Sequence, residues 1–297
     1  MSPEFKDLLL SMRPQKMHTI AVAAATDIQV LKSVISAYEM GFARAILCGD
    51  TEQIKSVAVS GGLDLSKFEI VHCDDEISAA NTAVSLVRKS RADILMKGMI
   101  HTSDFLRAVL NRETGIRGDG ILSHIAVLYS PSHKRRLFLT DVAMNMYPDL
   151  TTKAEIIKNA VDFVRKTGVD TPRVAPLCAV ENLNPAMQAT VDATELHNMN
   201  IRGEIADCIV SGPISFDIAV SESAARAKGF QGAVMGDADI LLFDNIEAGN
   251  NTLKAMVQFG NWFFGGVIIG ARAPVIVNSR SDSDMSKLFS IACACAM

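Results

Sequence analysis

Residues 19–25 carry a continuous apolar run, and Val30, Leu31, Val34, Ile35 and Tyr38 follow it at helical spacing. The run predicts a strand buried on both faces, and the repeat predicts an amphipathic helix. Thr26 and Gln29 stand at capping-box spacing, and Gly41 supplies the stop. The alternation continues with strands at 45–48, 69–72 and 93–96, a helix carrying Ile77, Ala80, Val84 and Val87, and a short helix at 103–111. Repeats of this kind predict parallel βαβ units.

The texture changes where Gly115, Gly118 and Gly120 interrupt the pattern, which marks a domain crossover. Beyond it, apolar segments 125–129 and 137–139 flank a turn at 131–134 and predict a hairpin. Helix 153–166 opens on Thr152 and Glu155, again at capping-box spacing. Strand 174–180, helix 185–198, strand 207–210, helix 216–228, strand 240–243 and a helix after Gly249 continue the winding. A final apolar run, 273–277, leads through Asn278, Ser279, Arg280, Ser281, Asp282, Ser283 and Asp284 into an amphipathic segment. A strand that feeds a helix N-terminus is where an open α/β sheet binds ligands, and the free N–H groups there favour an anion. The guanidinium of Arg280 adds a planar fork suited to phosphate or carboxylate.

Composition narrows the field. The chain of 297 residues is 49% hydrophobic but only 6% aromatic, which suits close-packed strands under helices. A formal charge of −4 gives no footprint for nucleic acid. The apolar stretch 262–271 is too short to span a bilayer and holds three glycines, and no secretion signal opens the chain, so a cytoplasmic protein is expected. Most of the six cysteines sit in apolar runs and read as small buried hydrophobes; no partner pair stands at metal-ligand spacing, and no bound metal is expected.

Polar clusters gather at element ends. Lys97, His101, Thr102, Ser103 and Arg107 lie at a strand exit and could hold an anion, although a helix-surface arginine is usually merely solvated. Asp141 and Asn145 follow another strand, where turn chemistry is the plain alternative. Gly212 and Pro213 could admit a close ligand or form an ordinary loop. Asp237, Asp239 and Asp244 invite a divalent-metal reading, but the first two precede their strand and the third follows it. Asn250 beside Gly249 is the better anion candidate of that region. No GxGxxG follows the first strand, and neither GxxxxGK[ST] nor GxSxG occurs, which weakens a Rossmann dehydrogenase, a P-loop NTPase and an α/β-hydrolase.

The motifs KGMIHTSDFLR (97–107), AVENLNP (179–185), SGPISFDIA (211–219), GDADIL (236–241) and EAGN (247–250), with the terminal Ser279 and Arg280, occur in one order along the chain. Together they resemble the phosphate acetyltransferase and phosphate butyryltransferase family, with the AVENLNP run and the SRSDS ending closer to the butyryl branch. The resemblance implies an α/β fold of two domains like isocitrate and isopropylmalate dehydrogenases, with an active-site cleft between them. Residues 1–117 plus 267–297 would form the first domain and 118–266 the second.

It also implies a reversible transfer, acyl-CoA plus phosphate giving acyl phosphate plus CoA. Direct thiolate attack in a ternary complex would carry it, with coenzyme A and phosphate as substrates, no bound cofactor and a homodimer or larger homo-oligomer. By the same resemblance, Arg280 and Arg107 bind phosphate or developing charge, and Ser279 donates to the oxyanion or thiolate. Asp282 and Asp284 compete for the role of base, with a slight preference for Asp282; helix capping is the alternative for either. The rival readings are an acetyl-specific enzyme, a metal- and NAD-dependent decarboxylating dehydrogenase, a non-catalytic sensor of acyl-CoA or acyl phosphate, and an interaction protein.

Overall fold

The computed structural model describes residues 3–133, 135–279 and 282–297. Contacts divide the chain into two compact units, one built from the residues up to Gly120 together with Phe264–Met297, the other from Ile121–Phe263.

The first unit opens on helix α1 (Pro3–Ser11) and then winds β1 (His18–Ala23), α2 (Ile28–Glu39), β2 (Ala43–Gly49), α3 (Thr51–Ser60), β3 (Glu69–His72), α4 (Glu76–Arg88), β4 (Ile94–Lys97) and α5 (Thr102–Leu110). The strands of this run pair in parallel in the order β3, β2, β1, β4. From β1 the chain steps outward through β2 to β3, then returns to the other side of β1 for β4. That reversal is a topological switch point, with its crevice at the carboxyl ends of β1 and β4. Residues 20–25 and all of β4 are buried, as the unbroken apolar runs require.

The second unit holds β5 (Ser123–Ser130), β6 (Arg135–Thr140), α6 (Leu150–Lys166), β7 (Arg173–Pro176), α7 (Gln188–Ile201), β8 (Ile209–Val210), α8 (Phe216–Val220), α9 (Glu222–Ala227), β9 (Ile240–Leu242) and α10 (Ile246–Gly260). Strands β5 and β6 form the predicted antiparallel hairpin, and β6, β9, β7 and β8 then run parallel in that spatial order. The chain returns to the first unit through β10 (Phe263–Ile269), β11 (Val275–Ile276) and α11 (Asp284–Cys295). Strand β10 pairs antiparallel with β11, and β11 lies parallel to β4.

Several boundaries differ from the sequence reading, for local reasons. Helix α2 is capped by Asp27, whose carboxylate accepts from Val30 N at 2.8 Å, and α6 by Asp149, which accepts from Thr152 N at 2.8 Å; Thr26 and Thr152 are not the caps. At α2 a carboxylate one residue further on, and at α6 one three residues earlier, takes the orphan N–H groups instead. Segment 216–228 breaks at Ser221, which ends α8 and caps α9 through Ala224 N. Helix α10 starts before Gly249, with Asn245 accepting from Ala248 N at 3.0 Å. Asn250 is therefore the fifth residue of that helix and not at its start. Helix α3 and strand β10 went unread: Asp50 caps α3, and paired glycines masked β10 as a mere apolar stretch.

Candidate active site

Three strand ends of the first unit meet at the switch point. Parallel register aligns Ala23 of β1 with Lys97 of β4, and Met96 of β4 with Ile276 of β11. The residues that leave these strands, 24–26, 98–103 and 277–279, therefore emerge at one sheet edge. Gly98 makes the first junction possible. Its N–H donates to Ala23 O at 2.8 Å, and a Cβ on it would stand 2.2 Å from Ala24 O. Only glycine lets the two backbones approach so closely.

Lys97 is 5% exposed, and its ammonium donates to the carbonyls of Gly98 and Ile100 at 3.1 and 3.0 Å. It thus braces the loop into α5. His101 occupies the N-cap position of α5 without a side-chain cap, its carbonyl accepting from Asp104 N and Phe105 N, and Thr102 and Ser103 form the exposed first turn. Arg107, one turn later, is 74% exposed and pairs with Asp104 at 2.7 Å. Such an exposed pair contributes little stability, so the guanidinium can exchange Asp104 for an anion at small cost.

On the third strand end, Ser279 follows the buried Asn278. The Asp282 carboxylate accepts from Ser279 N at 2.8 Å and from Asn278 Nδ2 at 3.2 Å, closing the turn on itself. Asp284, the first residue of α11, is half-buried, and its carboxylate accepts from the adjoining Met285 N at 3.0 Å. Ser283 caps α11 through Ser286 N. Arg280 lies outside the described residues.

The remaining predicted residues belong to the second unit. Asp141 is 2% exposed and accepts from the backbone N–H of His124, Ala143, Met144 and Asn145 and from the Asn145 amide, at 2.7–3.3 Å. Its carboxylate organises the turn after β6, the turn chemistry that the sequence left open. Asn250 donates from its amide to Val142 O at 3.0 Å and ties α10 to that same turn. Gly212 and Pro213 leave β8 on a loop, and among the described residues, its chain neighbours aside, no atom lies within 4 Å of where a Cβ on Gly212 would sit. Of the aspartates weighed for a metal, Asp237 pairs with Arg173, Asp239 accepts from Arg173 N, and Asp244 pairs with Lys153. Among the described residues no group of three or more His, Cys, Asp and Glu is placed to hold a metal ion.

Two clusters in this unit escaped the sequence reading. Lys153, 5% exposed, donates to Asp192 at 2.6 Å and Asp244 at 2.5 Å beside a cavity of about 690 Å³, which Tyr147, Leu183 and Gln188 also line. Burial opposes the ammonium, but the two carboxylates outweigh it and hold the lysine above its ordinary range. Lys228 likewise gathers Glu181, Ser215 and Asp217, and hydrogen bonds from Ser215 hold both carboxyls below theirs. Glu181 and Asp217 stand inside quoted motifs, but their lysine is 47 and 11 residues away, so no local pattern announced the grouping.

The sequence profile of the phosphate acetyl/butaryl transferase family matches residues 4–81 and 76–295, and the chain belongs to that family. It is 46% identical over 294 residues to the phosphate butyryltransferase of Clostridium beijerinckii, spanning 99% of this chain and 97% of that one. To the phosphate butyryltransferase of Clostridium acetobutylicum it is 44% identical over 294 residues, spanning 99% and 98%. Among solved structures, a branched-chain phosphotransacylase from Enterococcus faecalis V583 matches with a TM-score of 0.84 at 36% identity, covering 94% of this chain and 98% of that one.

Proposed function

We propose that this protein is a phosphate acyltransferase that interconverts acyl-CoA plus phosphate with acyl phosphate plus CoA, with butyryl as the favoured acyl group. Full-length identity to two phosphate butyryltransferases is the observation that carries the reading. The isocitrate dehydrogenase-like arrangement, a cytoplasmic setting and a homo-oligomeric state belong to the same proposal. Coenzyme A and phosphate enter as substrates, with no resident cofactor.

In the direction of acyl-CoA synthesis, a carboxylate takes the CoA thiol proton and the thiolate attacks the carbonyl carbon of the acyl phosphate. A carbon–sulfur bond forms, the bond between the acyl carbon and the bridging oxygen breaks, and inorganic phosphate leaves with that oxygen. Ser279 donates to the developing oxyanion or to the thiolate, while Arg107 and Arg280 hold the phosphate charge. The first turn of α5, with His101, Thr102 and Ser103, supplies N–H donors to the same anion, and Lys97 holds the loop that presents them. For the base, hydrogen bonds support Asp284 over Asp282, because the Asp282 carboxylate already accepts from Ser279 N and Asn278. Asp141, Gly212, Pro213 and Asn250 serve by shaping loops of the second unit.

CoA release from acetyl-, propionyl- and butyryl-CoA, with and without phosphate and after EDTA treatment, tests the reading. Phosphate-dependent release that peaks at butyryl supports it. A peak at acetyl moves the enzyme to the acetyl branch, and no release from folded protein overturns the transferase assignment for these substrates.

A further inference from the structure

The turn that presents Ser279 is held from the helix side by a buried lysine. Lys287, the fourth residue of α11, is 3% exposed, and its ammonium donates to Ser279 O at 3.3 Å and to Asp282 O at 2.5 Å. Among the described residues no carboxylate pairs with it. A buried ammonium is costly unless its protons are used, and a leucine or methionine would fill the same volume without that cost. What the lysine adds is a pair of hydrogen bonds to two backbone carbonyls of one turn.

The remaining bonds of that turn explain why those carbonyls matter. Ser279 N donates to the Asp282 carboxylate at 2.8 Å while Ser279 O accepts from Lys287, so both polar backbone groups of Ser279 are held. Fixing the N–H and the C=O of one residue fixes the direction of its Cα–Cβ bond, and with it the reach of the hydroxyl. A buried network stands behind this arrangement. Asn278 Nδ2 donates to the Asp282 carboxylate and, at 3.1 Å, to Ser290 Oγ, while Ser290 Oγ donates to Ser286 O and accepts from Gly266 N. The anchor therefore reaches from α11 to β10.

We infer that Lys287 is a positioning residue for the transfer reaction, acting through the backbone of Ser279 and not on substrate. Its catalytic meaning rests on the function proposed above; the clamp itself does not. A misplacement of the hydroxyl by a fraction of an ångström weakens a donor aimed at developing charge while leaving substrate affinity largely intact.

The test is a double-mutant cycle between Lys287→Met and Ser279→Ala, with Lys287→Arg as the conservative variant and Lys287→Gln carrying the cycle if the methionine variant does not fold. K287M is expected to lower kcat by about tenfold or more with the KM for butyryl-CoA within about twofold, to cost almost nothing further in the S279A background, and to be partly rescued by arginine. Hydrogen exchange of the peptide covering 277–284 is expected to accelerate in K287M while β1 and β4 keep wild-type protection. Additive losses in the cycle, or unchanged exchange in that peptide, overturn the inference. Wild-type protein without transferase activity defeats the functional reading alone, and the exchange experiment then decides the clamp.

Discussion

Asp282 and Asp284 stand two residues apart, and chain position alone could not separate them. Their hydrogen bonding differs. The Asp282 carboxylate is engaged by Ser279 N and Asn278, whereas that of Asp284 accepts only the adjoining amide among the described residues. If Asp284 is the base, Asp284→Asn lowers kcat by about 10²- to 10⁴-fold without changing the melting midpoint. Asp282→Asn, which keeps an oxygen for Ser279 N, stays within about fivefold of wild type, since asparagine caps nearly as well as aspartate. Steady-state kinetics beside thermal melts check both variants, and the opposite ranking would return the base to Asp282. At this scale the sequence identified the chemistry-bearing residue types at strand ends but not their orientation. Lys97 is turned inward onto its own loop and Asp141 is surrounded by amides, two outcomes set by contacts that spacing does not encode.

Among the elements, the parallel strands were legible because burial on both faces leaves only apolar side chains through Ile20–Ala23 of β1 and Ile94–Met96 of β4. The close fit of β4 against the end of β1 was not, since it depends on a single Cβ. An alanine at Gly98 would set a methyl 2.2 Å from Ala24 O and force the two strand exits apart. The turn after β6 makes the complementary point. Asp141→Ala leaves four backbone N–H groups without their acceptor, and the expected loss is about 2–4 kcal/mol, read as a lower urea midpoint at unchanged m-value. Asp141→Asn, keeping one acceptor oxygen, should lose less; equal losses would show that the carboxylate network is not what holds the turn. The misread helix starts share one cause. At α2 and α6 an aspartate outcompeted a threonine for the first N–H groups, and at α10 an asparagine upstream of Gly249 did the capping.

At the scale of the whole molecule, burial holds four of the six thiols protonated. Burial pushes Cys48 and Cys295 up to about 12 and Cys178 and Cys208 up to about 11, from an ordinary value of 9.0. Well below pH 9 these four thiols are neutral whether the chain is folded or not, so they add no pH dependence there. Above it the unfolded thiols ionise while the folded ones stay neutral, and stability falls as pH rises from about 9 toward 12. Urea midpoints at pH 7.5, 9.5 and 10.5 should therefore fall more steeply in wild type than in Cys48→Ala; parallel lines would contradict the burial effect. Neutral thiols, two buried and two half-buried, also agree with a proposed reaction in which the CoA sulfur, and not the protein's, is the nucleophile.

The motif order carries the family likeness although the motifs differ in setting: KGMIHTSDFLR and SGPISFDIA follow strands, GDADIL leads into β9 and EAGN lies within α10. The Lys153 and Lys228 clusters stayed hidden because each is assembled from segments far apart in the chain. The most direct measurement of the central claim is ³¹P NMR of the protein with butyryl-CoA and inorganic phosphate. The account predicts a growing acyl phosphate resonance at the expense of inorganic phosphate, matched by free CoA and lost in Ser279→Ala. CoA release with no new phosphorus resonance would mean hydrolysis instead of transfer to phosphate, and would contradict it.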